Sequence, residues 1–307
     1  MNTRNILIVI VAAIIIVGGY FVLGGKKEMA PEQAATTTEG STTSTDQSAT
    51  TATTTEQTTT TTAAAPAAPM AGKSVKIATE GAYPPFNSID ANGKLVGFDV
   101  DIANELCARM QAKCEIVAQD WDGIIPGLLE KKYDAIVASM SITEERKQKV
   151  DFTDKYYNTP AKFVAKKGAG LQITKEGLTG KTIGVQVSTI HENFVRDNFG
   201  DVATIKAYDT QENANLDLAA GRLDAILADS VALDIGFLKT DAGKDFEFVG
   251  PDFTDPKWFG DGAGIAVRKG EPDLLNALND GFKAIRADGT YQKIQSKYFT
   301  YDIYGKE

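Results

Sequence analysis

Apolar positions divide the 307-residue chain into three stretches of unlike texture. From Ile6 to Leu23 the run ILIVIVAAIIIVGGYFVL is uncharged and almost wholly apolar. Its 18 residues would make about 27 Å of helix, enough to span a bilayer. A cleaved signal peptide is the competing reading, although its apolar core usually has about 7–15 residues and ends at a small-x-small site. Here Gly24, Gly25, Lys26 and Lys27 follow instead, and no Cys is placed to carry a lipid. Residues 1–25 are therefore expected to be a transmembrane signal anchor, with a signal peptide as the alternative. Between Thr36 and Thr62, 16 of 27 residues are Thr and no apolar side chain is larger than Ala. Such a tract cannot bury enough surface to offset its ordering entropy, so residues 26–73 are expected to form a disordered tether.

After Ser74 the texture changes to short β-branched runs alternating with amphipathic stretches. VKIAT, a helix over Val100 to Met110, EIVAQ, a helix near Ile124 to Lys131 and YDAIVAS form one series. KTIGVQV, a helix from Thr189 to Phe199, TIKAYD, a helix over Glu212 to Arg222 and LDAILAD form a second. This alternation predicts an α/β protein whose sheets are largely parallel and covered by helices. The two series share a local likeness: EKKYDAIVAS and AAGRLDAILAD each turn after a basic helix into a buried strand reading Asp-Ala-Ile. They predict two lobes built on one plan.

Composition narrows the function. The formal charge of -9 argues against nucleic acid, which needs clustered Lys and Arg. One His and two Cys leave little for a metal site built on those ligands, and no metal or other cofactor is expected. Cys107 and Cys114 lie seven apart: outside the cytoplasm they suit a small-loop disulfide, and in a reducing compartment two buried thiols.

In open parallel sheets, ligands sit beyond the carboxyl ends of the strands, near helix N-termini. Polar residues cluster at four such ends. Ser141-Ile142-Thr143-Glu144 has capping-box spacing, so a helix is expected to start there with Arg146 on its first turns, a carboxylate receptor. A solvated Arg within EERKQK is the plain alternative. Ser139 ends the first-lobe strand. Ser188-Thr189 opens another helix, either as an ordinary N-cap or as a second set of amides for the same anion. Asp229 closes an apolar strand, where a carboxylate needs either a ligand ammonium or the amides of a following helix. Glu80 with Tyr83, and Trp121 beyond, could hold a cationic side chain by ion pairing and cation-π attraction, or the rings could simply be core. His191 has no nucleophile motif beside it and reads as a hydrogen-bonding residue rather than a base.

Taken together, TEGAYPPFNSIDANGKLVGFDVDIANELC, WDGIIPGLLEKKYDAIVASMSITEERKQKVDFTDKYY and RADGTYQKIQSKYF resemble the extracytoplasmic amino-acid-binding proteins of ABC importers. The likeness is strongest to the lysine/arginine/ornithine, arginine and histidine binders, and spans about 74 to 304. It implies a two-lobe clamp of the type II periplasmic-binding-protein kind, each lobe a mostly parallel sheet flanked by helices, with two hinge crossings. Lobe 1 would comprise 74–160 and 262–307, lobe 2 163–258. By resemblance, Arg146 with Ser141 and Thr189 would hold an α-carboxylate, and Asp229 with Ser139 an α-ammonium. Glu80 would face a basic side chain, while Tyr83, Phe86 and Trp121 would form an aromatic pocket with His191 close by. Two departures bear on the ligand: Ala138 stands where many relatives have Ser, and Ser188-Thr189-Ile190 replaces Gly-Thr-Thr.

The resemblance therefore implies a non-enzymatic, monomeric receptor outside the cytoplasmic membrane, in the periplasm or tethered to the outer face by the N-terminal helix. It would deliver a cationic amino acid, arginine first and lysine, ornithine or histidine next, to the membrane subunits of an ABC permease. An enzyme on the same scaffold, like the cyclohexadienyl dehydratases, is the alternative from another class. A sensing module acting through a separate partner is a third.

Overall fold

The computed structural model describes residues 70–305. The apolar run Ile6–Leu23 and the Thr-rich tract lie outside them, and no helix among the described residues is long and apolar enough to cross a membrane.

Two five-stranded sheets organise the chain. The first runs Lys113–Ala118, Ser74–Thr79, Ala135–Ile136, Ala266–Arg268, Val150–Phe152; the second runs Thr204–Tyr208, Thr182–Gln186, Ala225–Asp229, Ala161–Lys166, Phe246–Phe253. In each, the first three strands are parallel and the last two pair antiparallel. The two Asp-Ala-Ile strands occupy the same central place in both orders, so the repeated plan read from the sequence is realised as two lobes. Ala161–Lys166 and Ala266–Arg268 each follow a crossing from one sheet to the other. A chain arriving from the cleft must run away from it, opposite to strands whose carboxyl ends point at it. The crossings are tied together, Tyr156 N–H donating to Ala263 O at 2.8 Å and Ala263 N–H to Tyr157 O at 2.9 Å.

The C-terminal segment returns to the first lobe for a packing reason. Helix Phe98–Met110 buries Phe98, Ile102, Leu106 and Met110 in one cluster with Leu278, Phe282 and Ile285 of helix Pro272–Ala287. Each fully buried side chain of this kind contributes about 1.5–3 kcal/mol, so the shared cluster ties the two helices together. The helix Phe98–Met110 starts after Gly97, whose φ of 126° brings its backbone against Phe86, and a Cβ there would meet Phe86 O at 2.3 Å.

Cys107 and Cys114 form a disulfide, Cα–Cα 6.1 Å, joining the last turn of that helix to strand Lys113–Ala118. The loop it closes is short, so its loss should cost about 2 kcal/mol. Thermal melts with and without reductant should show that drop in stability, while ligand affinity, set elsewhere, stays unchanged.

One local expectation is corrected. Ser141 does not cap a helix; it bridges Ala263 in extended conformation, and Ile142 N–H donates to Gly262 O at 2.8 Å. Pairing with the returning crossing strand occupies Ser141, so the helix begins at Glu144 with Thr143 as its cap.

Candidate functional site

A small cavity opens between the sheets. Glu80, Tyr83, Trp121, Ser139, Ser141, Arg146, Thr189, His191 and Asp229 all line it, as do Ala138 and Ile190. Phe86 is the exception: it is fully buried behind the wall, stacked on Tyr157 at 4.6 Å and 6.1 Å from Tyr83. Tyr157, from the crossing strand, reaches the cavity instead. The Pro-Pro-Phe pattern shows an aromatic at position 86 without showing which way the loop turns it.

Arg146 is 9% exposed. Its Nη1 donates to Ser141 O at 3.0 Å and its Nη2 to Ser188 O at 3.5 Å, and its guanidinium carbon lies 5.3 Å from the centre of the Trp121 ring. Burial lowers its pKa to about 10, which still leaves it charged at neutral pH. No carboxylate among the described residues comes within ion-pair distance of it. The Trp121 face, expected against a ligand side chain, thus lies over the protein's own cation. Trp121 Nε1 also donates to Ser188 O at 3.2 Å, a contact from one lobe to the other.

Thr189 caps helix Ile190–Phe199 by accepting from Glu192 N–H at 3.1 Å, while its own hydroxyl donates to Gln186 O at 2.7 Å. With that proton committed, Thr189 can offer an anion its backbone N–H but not its hydroxyl. Of the two readings of Asp229, the helix cap is realised. One oxygen caps helix Ser230–Leu233 by accepting from Val231 N–H at 2.8 Å and Ala232 N–H at 3.2 Å, and the other accepts from the Thr159 hydroxyl. Burial raises its pKa to about 6 despite these bonds. Its N–H donates to Tyr83 Oη at 3.3 Å, again across the cleft.

Glu80 is 8% exposed, and its carboxylate accepts from Gln186 Nε2 of the opposite lobe. Burial pushes its pKa up to about 7; the Gln186 bond opposes the shift and the charge of Asp120 adds to it. Burial first, and then the charge of Arg146, hold the His191 imidazole down at about 3, so it is neutral and cannot act as a cation here.

Besides Tyr157, two participants escaped the sequence reading. Gln186 is the last residue of strand Thr182–Gln186, the kind of position searched, but an amide within an apolar run carries no charge to flag it. Thr159 lies in a crossing segment with no periodic pattern. The chemistry of the assembled site is plain: one buried cation and two buried carboxylates, none paired with an opposite charge of the protein, in an enclosed cleft that both lobes build. Such a cleft stabilises a ligand that brings the missing charges.

Comparison with known proteins agrees. Residues 75–301 match the bacterial extracellular solute-binding proteins, family 3. An L-arginine-binding protein of Pseudomonas aeruginosa is 52% identical over 236 residues, 76% of this chain and 91% of that protein. The lysine/arginine/ornithine-binding periplasmic protein of Escherichia coli is 45% identical over 234 residues, 76% of this chain and 90% of that protein. A solved periplasmic binding protein of Salmonella typhimurium, described for high arginine specificity, superposes with a TM-score of 0.69 at 36% identity, covering 75% of this chain and 100% of that one. The chain therefore belongs to the bacterial extracellular solute-binding proteins, family 3.

Proposed function

We propose that this protein is an extracytoplasmic receptor that closes two lobes on a cationic L-amino acid, arginine first, and hands it to an ABC permease. The observation that carries the reading is the charge balance of the cleft. Arg146 is positive, Asp229 and Glu80 are negative, and an amino acid with a basic side chain brings one carboxylate and two cations to meet them. A neutral or acidic amino acid would leave Glu80 without a counter-charge, so Glu80 would take up a proton and its attraction for the ligand would be lost. In this reading Arg146 and the Thr189 amide hold the α-carboxylate, with Ser141 carrying the carbonyl that orients Arg146. Asp229 and Ser139 receive the α-ammonium. Glu80, with Tyr83 and Tyr157, receives the side-chain cation, and His191 lines the cleft as a neutral group.

Lobe 1 would comprise 74–160 with 262–307, and lobe 2 163–258. The apolar run before the Thr-rich tract would hold the receptor at the outer face of the membrane, where a tether raises its concentration near the permease. The relatives named above are binding proteins, which supports a receptor over an enzyme.

Calorimetric titration of the full-length protein, stripped of bound ligand by unfolding and refolding, tests this. L-arginine, L-lysine, L-ornithine and L-histidine should be compared with L-glutamine and L-glutamate. Binding is expected for cationic members and not for the last two. Equal affinity for L-glutamine and L-arginine would refute the assignment of Glu80, and no binding by any of the six would refute the amino-acid reading itself.

A further inference from the structure

Behind the cleft, fully buried, sits a carboxylate that the reading above does not use. Asp99 is the second residue of helix Phe98–Met110, 0% exposed. Its Oδ2 accepts from Asn87 Nδ2 at 2.8 Å and from Ser139 Oγ at 2.9 Å, and its Oδ1 accepts from Tyr156 Oη at 2.7 Å. The orientation of Asn87 is set from outside, because Gly81 N–H donates to its Oδ1 at 2.8 Å and leaves Nδ2 facing Asp99. The ring closes through Ser139, whose N–H donates to Tyr156 Oη at 2.9 Å. Ser139 itself has φ 54°, a left-handed conformation that a non-glycine residue adopts only when its surroundings hold it there. No cation among the described residues faces Asp99; three donors and the N-terminal end of its helix stabilise the charge instead.

The polarity of this network has a consequence in the cleft. Burial raises the Asp99 pKa to about 6, with the bonds from Tyr156, Asn87 and Ser139 opposing it, so at neutral pH it is ionised and can only accept. The Ser139 hydroxyl must therefore spend its single proton on Asp99. Its oxygen lone pairs remain, and Ser139 lines the cavity.

We infer that Asp99 is a positioning residue for the α-ammonium of the ligand, holding Ser139 in its left-handed conformation as an acceptor and placing negative charge directly behind it. The inference rests on the amino-acid reading. It adds a third carboxylate to the ammonium's surroundings, one that never touches the ligand. A protonated or amidated side chain at this place would offer a donor to Ser139 or Tyr156 and remove the charge.

The test uses two ligands that differ only in the group concerned: L-arginine, and 5-guanidinopentanoate, which lacks the α-ammonium. In the full chain, Asp99→Asn should weaken L-arginine binding about tenfold and 5-guanidinopentanoate binding less than about twofold. Ser139→Ala should show the same selectivity, and the double variant should lose no more than Ser139→Ala alone. Equal loss for both ligands, or full additivity, would mean that Asp99 serves only the fold. If Asp99→Asn does not fold, the wild-type protein still decides: the ¹³C resonance of the Asp99 carboxyl should titrate at lower pH with L-arginine bound than without, and an unchanged titration overturns the inference. Failure of wild type to bind L-arginine would overturn the amino-acid reading instead, a result distinct from either.

Discussion

Arg146→Ala and Asp229→Ala are each expected to weaken binding of a cationic amino acid by at least about a hundredfold, the loss of about 3–5 kcal/mol that follows when one member of a buried charge pair is removed. The same substitutions should behave otherwise without ligand. Arg146 meets only carbonyls and an aromatic face, and Asp229 only hydroxyl and amide donors, so neither loses an ion pair within the protein. Deleting a buried charge with no opposite partner relieves its desolvation, so the unliganded melting temperature should hold steady or rise. The ligand-induced rise, which follows affinity, should collapse in both variants. Titration calorimetry and paired melts with and without L-arginine measure both parts. Wild-type affinity in either variant would remove that residue from the site, and a large fall in unliganded stability would show that its role is structural.

Affinity should also climb with pH, by as much as about tenfold per unit for each carboxylate that titrates in the window, between about pH 5 and about pH 7. Burial holds Glu80 at about 7 and Asp229 at about 6, so below these values both are protonated and offer the ligand's cations no charge. Above about pH 7 both are ionised and affinity should level off. Folding stability should move the opposite way. A carboxyl whose folded pKa lies above its unfolded value binds protons more tightly when folded. Its stabilisation is fully present below the unfolded pKa and is lost as pH rises through about 6 to 7. The unliganded protein should therefore melt lower at neutral pH than near pH 5, other groups being equal, while the shift produced by L-arginine grows. Glu80→Gln removes the upper part of the pH response, and with it the preference for L-arginine over L-glutamine. A flat affinity profile across this window would exclude titrating carboxylates from the site.

The alternation of β-branched runs with amphipathic stretches was enough to read two lobes of similar plan, because strand and helix periodicities and the burial of Asp-Ala-Ile strands are local properties. Residues at the carboxyl ends of those strands were legible for the same reason: Glu80, Ser139 and Asp229 are polar groups that close or follow apolar runs. Thr189 as a helix cap, and the Cys107–Cys114 spacing, also belong to what the chain states directly. Local signals mislead where a distant partner competes. Ser141 has the spacing of a cap, yet a bridge to Ala263 takes it and leaves the cap to Thr143. Phe86 and Tyr157 are both aromatic, and only lobe packing decides that the first is core and the second wall.

The sequence alone thus determined the fold class, the strand ends and most of the charged groups of the site. Tertiary structure decided their pairing: Gln186 on Glu80 across 106 positions, Thr159 on Asp229 across 70, Ser139 on Asp99 across 40. Those contacts exist only because two sheets and two crossing strands bring separate segments to one cleft. Neither periodicity nor capping, which act over a few residues, encodes which hydroxyl or amide will face which carboxylate once the lobes meet.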